Sequence, residues 1–103
     1  MHAQIITYKL KNISAADYQT QMVKPDAPIL AAVSGLKSKV WLSNPDKNTY
    51  GGFYLWESRA DMERFMASDL VKAVVSRPFL MDIHSEDFDI PEAASRITRG
   101  LAG

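Results

Sequence analysis

Side chains able to do chemistry near neutral pH are few in this 103-residue sequence, and most fall on three short stretches. There is no cysteine, so thiolate nucleophiles, disulfides and thiolate metal sites are excluded. His84 is the one histidine in the body of the chain, His2 being the other, and imidazole is the side chain whose ordinary pKa lies nearest neutrality. It is the default general base, although Asp82 and Glu86 flank it at period 2 and would equally suit an ion network. Tyr54 is a candidate hydroxyl donor to a substrate carbonyl, with Tyr8 and Tyr50 as competitors. Trp41 and Trp56 offer faces for stacking on a flat aromatic, and Trp56 stands at a strand-to-helix junction, where loops leave room for a ligand. Met62, Phe65 and Met66 recur at helical spacing and make a deformable apolar wall, since methionine's unbranched thioether refits irregular gaps. The candidate site is therefore His84 and Tyr54 as catalytic groups, with Trp56, Trp41, Phe65, Met62 and Met66 around the substrate. No metal site is expected, because the histidines and carboxylates show no ligand pair at helical spacing.

These residues need a frame, and the stretch from Leu36 to Ser58 supplies its centre. Leu36 to Ser43 alternates in the manner of a half-buried strand, Asn44-Pro45-Asp46-Lys47-Asn48 has turn chemistry, and Tyr50 to Trp56 returns as the partner strand. A register with Ser43 facing Tyr50 puts Trp41 opposite Gly52, Lys39 opposite Tyr54 and Lys37 opposite Trp56. Gly51-Gly52 reads as bare backbone under Trp41 rather than as a phosphate cradle, because no helix N-terminus follows it. Gln4 to Leu10 and Phe79 to Phe88 also alternate and give the first and fourth strands. Ser14 and Ser58 each precede an Asp by three residues and open helices, the first interrupted at Pro25 and closed by Gly35, the second breaking near Ser68 and ending before Pro78. The order is βαββαβ, an α+β ferredoxin-like fold with a four-stranded antiparallel sheet and both helices on one face. The aliphatic set Leu36, Val40, Leu42, Phe53 and Leu55 is expected beneath the helices. Thr7, Lys9, Lys37, Lys39, Trp41, Tyr54, Trp56, Asp82, His84 and Glu86 are then expected on the bare face, as a two-fold interface.

The bulk numbers bound the function. The length fits a single domain, residues 1–103, with a C-terminal arm from about residue 89. Twelve basic residues balance twelve acidic ones, so there is no field to gather nucleic acid or an anionic membrane. No stretch approaches a membrane span and no signal pattern opens the chain, so a cytoplasmic protein is expected.

The segments Lys39-Val40-Trp41 and Gly51-Gly52-Phe53-Tyr54-Leu55-Trp56-Glu57-Ser58, with Lys24-Pro25 and Gly35, resemble the YdhR-like mono-oxygenases of the dimeric α+β barrel superfamily. Trp56-Glu57-Ser58 is also similar to the Trp-x-Ser stretch of antibiotic-biosynthesis and haem-degrading mono-oxygenases. The haem degraders' iron-ligating His has no counterpart between Arg59 and Val75, nor their strand-one Asn between Ala3 and Leu10. The resemblance implies a homodimer whose sheets close into a barrel and oxidise a small phenolic or quinol-type aromatic with O2, without metal, flavin or haem. A non-catalytic ligand-binding dimer is the alternative that the same fold allows.

Overall fold

The first helical region shows how a proline-rich sequence keeps a helix going. In the computed structural model, which describes residues 1–101, Ser14 accepts a hydrogen bond from the Asp17 N–H at 3.0 Å and opens α1 (Ala15–Tyr18). Instead of breaking at Pro25, the chain widens into a π turn, Gln19–Val23, and continues as α2 (Lys24–Ala31). The Lys24 N–H bonds the Gln19 carbonyl, five residues back, and the wider turn makes room for the ring that would otherwise crowd the carbonyl of Gln21. Gly35, at φ 84°, makes the turn into the sheet, and a Cβ there would lie 2.3 Å from Asp61 Cγ. The second helical region splits at Ser68 as its sequence indicates, into α3 (Arg59–Met66) and α4 (Asp69–Val75), and Ser58 and Ser68 each cap through the side-chain oxygen.

The four strands are β1 (His2–Leu10), β2 (Leu36–Asn44), β3 (Thr49–Trp56) and β4 (Leu80–Asp89), antiparallel in the spatial order β2-β3-β1-β4. This is the ferredoxin-like arrangement the element order calls for. Ser43 faces Tyr50, Trp41 faces Gly52 and Lys39 faces Tyr54, as the hairpin pattern indicates. The register shifts between Leu36 and Ser38, so that Leu36, not Lys37, stands opposite Trp56.

The two faces of the hairpin are the reverse of the expected ones. Ile6 lies opposite Gly52 and Tyr8 opposite Tyr50, so the β1 face that meets the helices is continuous with Tyr50, Tyr54 and Trp56, all of them buried. The helices press Tyr18, Met22, Leu30, Met62 and Phe65 onto this aromatic face. The bare face carries the aliphatic rows instead, Val40–Phe53–Ile5 and Leu42–Gly51–Thr7, ending at Glu86 and His84 on β4. Two of the buried polar tips, those of Tyr8 and Trp56, find partners on this side. Tyr8 and Tyr18 share a hydrogen bond of 2.5 Å, and Trp56 donates its indole N–H to Gln4 at 3.0 Å.

Irregularities fix the ends of the sheet. Asp82, at φ 53°, sits where the pairing of β1 with β4 shifts register. Leu80 and Ile83, three residues apart, consequently line the same interior space. Asn48 grips β1 from the hairpin turn, donating to the Leu10 carbonyl and accepting from the Leu10 N–H. The arm forms α5 (Glu92–Ile97), and buried His2 meets Asp87 at 2.6 Å and Asp89 at 3.2 Å beside it.

Candidate functional site

Between the sheet and the helices lies a cleft with about 570 Å³ of unfilled space, counting its open mouth. Ile6, Tyr8, Tyr54, Leu80, Ile83 and Ser85 rise from the sheet; Met22 and Leu30 come from the first helical region. Phe65 and Met66 of α3 and Val71, Val74 and Val75 of α4 close the far wall. Three polar groups matter in this apolar space: Asp26, Tyr54 and Lys39.

Asp26 is only 4% exposed, and Arg77, on the turn after α4, clamps both its oxygens at 2.6 and 2.8 Å. The two-point geometry neutralises the carboxylate and pins α2 to the segment after α4. Tyr54 stacks on Trp56 with rings 6.0 Å apart and nearly parallel, and Phe65 leans on both. Burial raises the Tyr54 hydroxyl's pKa well above the ordinary phenol value, so it stays protonated as a neutral donor. Burial likewise raises Tyr8, helped by its bond to Tyr18.

Lys39 is the residue the sequence pattern passes over, since a lysine alternating with Lys37 on a strand reads as a surface or interface charge. Here it folds inward across the sheet. Its Nζ lies 3.3 Å from the centroid of the Trp41 ring and 4.6 Å from that of Tyr54. The space it occupies exists because residue 52 is glycine, for a Cβ there would lie 2.5 Å from Lys39 Cε. No carboxylate bonds Nζ among the described residues, and burial pushes the amine down to about 7 while the more distant Asp26 pulls it part of the way back.

The structure brings Tyr54, Phe65 and Met66 to the cleft and leaves the other candidate residues elsewhere. Trp56 is wholly buried behind Tyr54, with Met62 in the same cluster. Trp41 covers Lys39 and faces a shallow outer pocket between α2 and β2. His84 stands on the opposite face of the sheet from Tyr54, opposite Thr7, in an open depression with Lys9, Thr49 and Asp82. His84 and Tyr54 therefore do not meet within one chain. Among the described residues, no group of three or more His, Cys, Asp or Glu could hold a metal ion, and no helix is long and apolar enough to cross a membrane.

Strand order and helix placement together define a ferredoxin-like α+β protein. Residues 5–101 match the family described as "Putative mono-oxygenase ydhR", and the chain belongs to that family. Among solved structures, it is similar to an antibiotic biosynthesis monooxygenase of Deinococcus radiodurans, with a TM-score of 0.72 and 14% identity over 87% of this chain and 92% of that one. It is similar also to a mutant form of SnoaB, a cofactor-independent oxygenase from Streptomyces nogalater, with a TM-score of 0.68 and 16% identity over 87% of this chain and 92% of that one. A third likeness is to a mutant of MhuD holding two manganese protoporphyrin IX per active site, with a TM-score of 0.68 and 13% identity over 88% and 95% of the two chains. No curated protein matches the sequence.

Proposed function

We propose that this chain is a cofactor-independent mono-oxygenase that oxidises a flat phenolic or quinol-type aromatic with O2 in the cleft between sheet and helices. The observation that carries the reading is the cleft itself, an apolar space walled by Phe65, Met66 and valines, with a protonated tyrosine and a lysine as its free polar groups. Chemistry without a cofactor asks for that combination. The substrate must donate its own electrons once ionised, and the protein need only hold it, exclude water and stabilise the anion. For a dihydroxyanthrone-type substrate the balance closes without an outside reductant: the ring CH2 becomes C=O with one oxygen atom of O2, and the other leaves as water. Tyr54 donates its hydroxyl to the oxygen on which the anion's charge collects, while Trp56 holds that ring in place from behind. The family and the SnoaB-like fold support this reading, and the apolar lining of the cleft suits a flat aromatic.

The same reading includes a homodimer through the bare sheet face. Val40 is 56% exposed and Phe88 49%, on the same face as Leu42, which is a large apolar area for one chain to leave in water. His84 belongs to this side of the sheet and is assigned to the interface, not the cleft.

The test is oxygen uptake with dihydroxyanthrone-type and quinol compounds, for the unmodified chain and for Tyr54→Phe. The expected result is uptake well above buffer, slowed about 10²-fold when the donor hydroxyl is removed. Uptake no faster than buffer for every compound would replace this reading with that of a non-catalytic binding dimer.

A further inference from the structure

We propose that Lys39 is the base of the cleft and that its ligands are hydroxy-aromatics bound as anions after giving their proton to Nζ. The proposal rests on the oxidative reading above, but it concerns the proton step and stands or falls on a separate measurement.

A lysine normally keeps its head in water, and this one is turned inward over a glycine, between two aromatic faces, at the wall of an apolar cleft. The ionisable groups facing it from each packed element can be named. Asp26 of α2 is neutralised by its two bonds to Arg77. Tyr54 of β3 and Tyr8 of β1 are held protonated by burial. On its own strand, Lys37 pairs with Glu57 at 3.6 Å. No anion is thus left beside Nζ to hold it permanently as ammonium, and the position suited to a counter-ion is free for a ligand. Burial favours the neutral amine, which can accept a proton, and the rings of Trp41 and Tyr54 then stabilise the ammonium that forms.

The step balances without a co-reactant. The hydroxyl O–H bond of the ligand breaks, the Lys39 lone pair takes the proton, and a phenolate and an ammonium remain side by side. The proton then has a way out. The outer pocket between α2 and β2, formed by Ala27, Ala31, Leu36 and Trp41, reaches the same lysine from the opposite side, so Nζ can exchange with water between turnovers. Carboxylate ligands would arrive already ionised and leave such a base without a task, which points to phenols and enols as the class.

The probe is 4-nitrophenol, whose anion is yellow and whose acid is colourless, mixed with excess protein at a pH close to the probe's own pKa, where a large share of Nζ is still neutral and growth of the anion band above that of the free probe marks proton transfer. The expected result is that growth on binding to the unmodified chain and its loss in Lys39→Met, with about 10²-fold or greater loss of oxygen uptake in that variant. An anion band of equal strength in both proteins, or no binding by the unmodified chain, overturns the proposal. An NMR titration of the Lys39 side chain needs no variant. Titration near 7 supports the proposal and titration near the ordinary 10.5 overturns it. A probe band that appears while no compound is oxidised would sink the mono-oxygenase reading and leave the base standing.

Discussion

A methyl group at position 52 would project to 2.5 Å from Lys39 Cε and 3.3 Å from the Tyr54 ring, so the inward course of the lysine depends on that glycine. The side chain that must yield is the flexible one. Gly52→Ala should therefore leave the fold intact, changing stability by no more than about 1 kcal/mol, while pushing Lys39 out of the cleft. Circular dichroism should stay native-like and oxygen uptake should fall about tenfold to 10²-fold, approaching the loss in a variant without the lysine. Uptake equal to that of the unmodified chain would show that the amine reaches the cleft by another path. At this scale the sequence is only partly legible. Tyr54, Phe65 and Met66 stand out by type and spacing, and the structure puts them at the cleft. Lys39 does not stand out, because the hairpin register is legible but not that this face lies under the helices, nor that the lysine folds inward over the bare backbone of Gly52. His84 stands out for its chemistry, but chemistry says nothing of which side of a sheet a residue faces.

Capping signals are local, and for that reason Ser14 and Ser58 mark their helix starts correctly, while at the break near Ser68 it is Ser68 itself that caps and Asp69 is the first residue of α4. Pro25 is equally local but ambiguous, since a proline can end a helix or widen it, and the outcome depends on what lies beyond. Here the next residue, Asp26, is held across the molecule by Arg77, and that long-range bond makes it worthwhile for the helix to continue through a π turn. Arg77→Ala would leave a buried carboxylate without its partner and should cost about 3–5 kcal/mol in urea denaturation. Replacing both partners with leucine should recover most of that loss, because no buried charge then remains. A single Arg77→Ala variant as stable as the unmodified chain would mean that Asp26 finds water or another donor.

Period-2 alternation defines two faces for a strand without saying which one the helices cover, and this chain has apolar residues on both. The aliphatic face looks like a core and the aromatic face like an interface, yet Tyr8 and Trp56 need buried hydrogen-bond partners, and Tyr18 and Gln4 provide them on the helix side. The order of elements is legible and the assignment of faces is not. Val40→Asp places a charge in the middle of the aliphatic rows and should convert the proposed dimer to a monomer in sedimentation at micromolar concentration, with a cleft still able to bind 4-nitrophenol. A variant that sediments like the unmodified chain would place the contact elsewhere. In the proposed dimer those exposed rows also tie the folding equilibrium to abundance. Once a second copy covers them, unfolding also separates two molecules, so the melting temperature climbs with concentration, and each tenfold dilution removes about 1.4 kcal/mol from the stability of the pair.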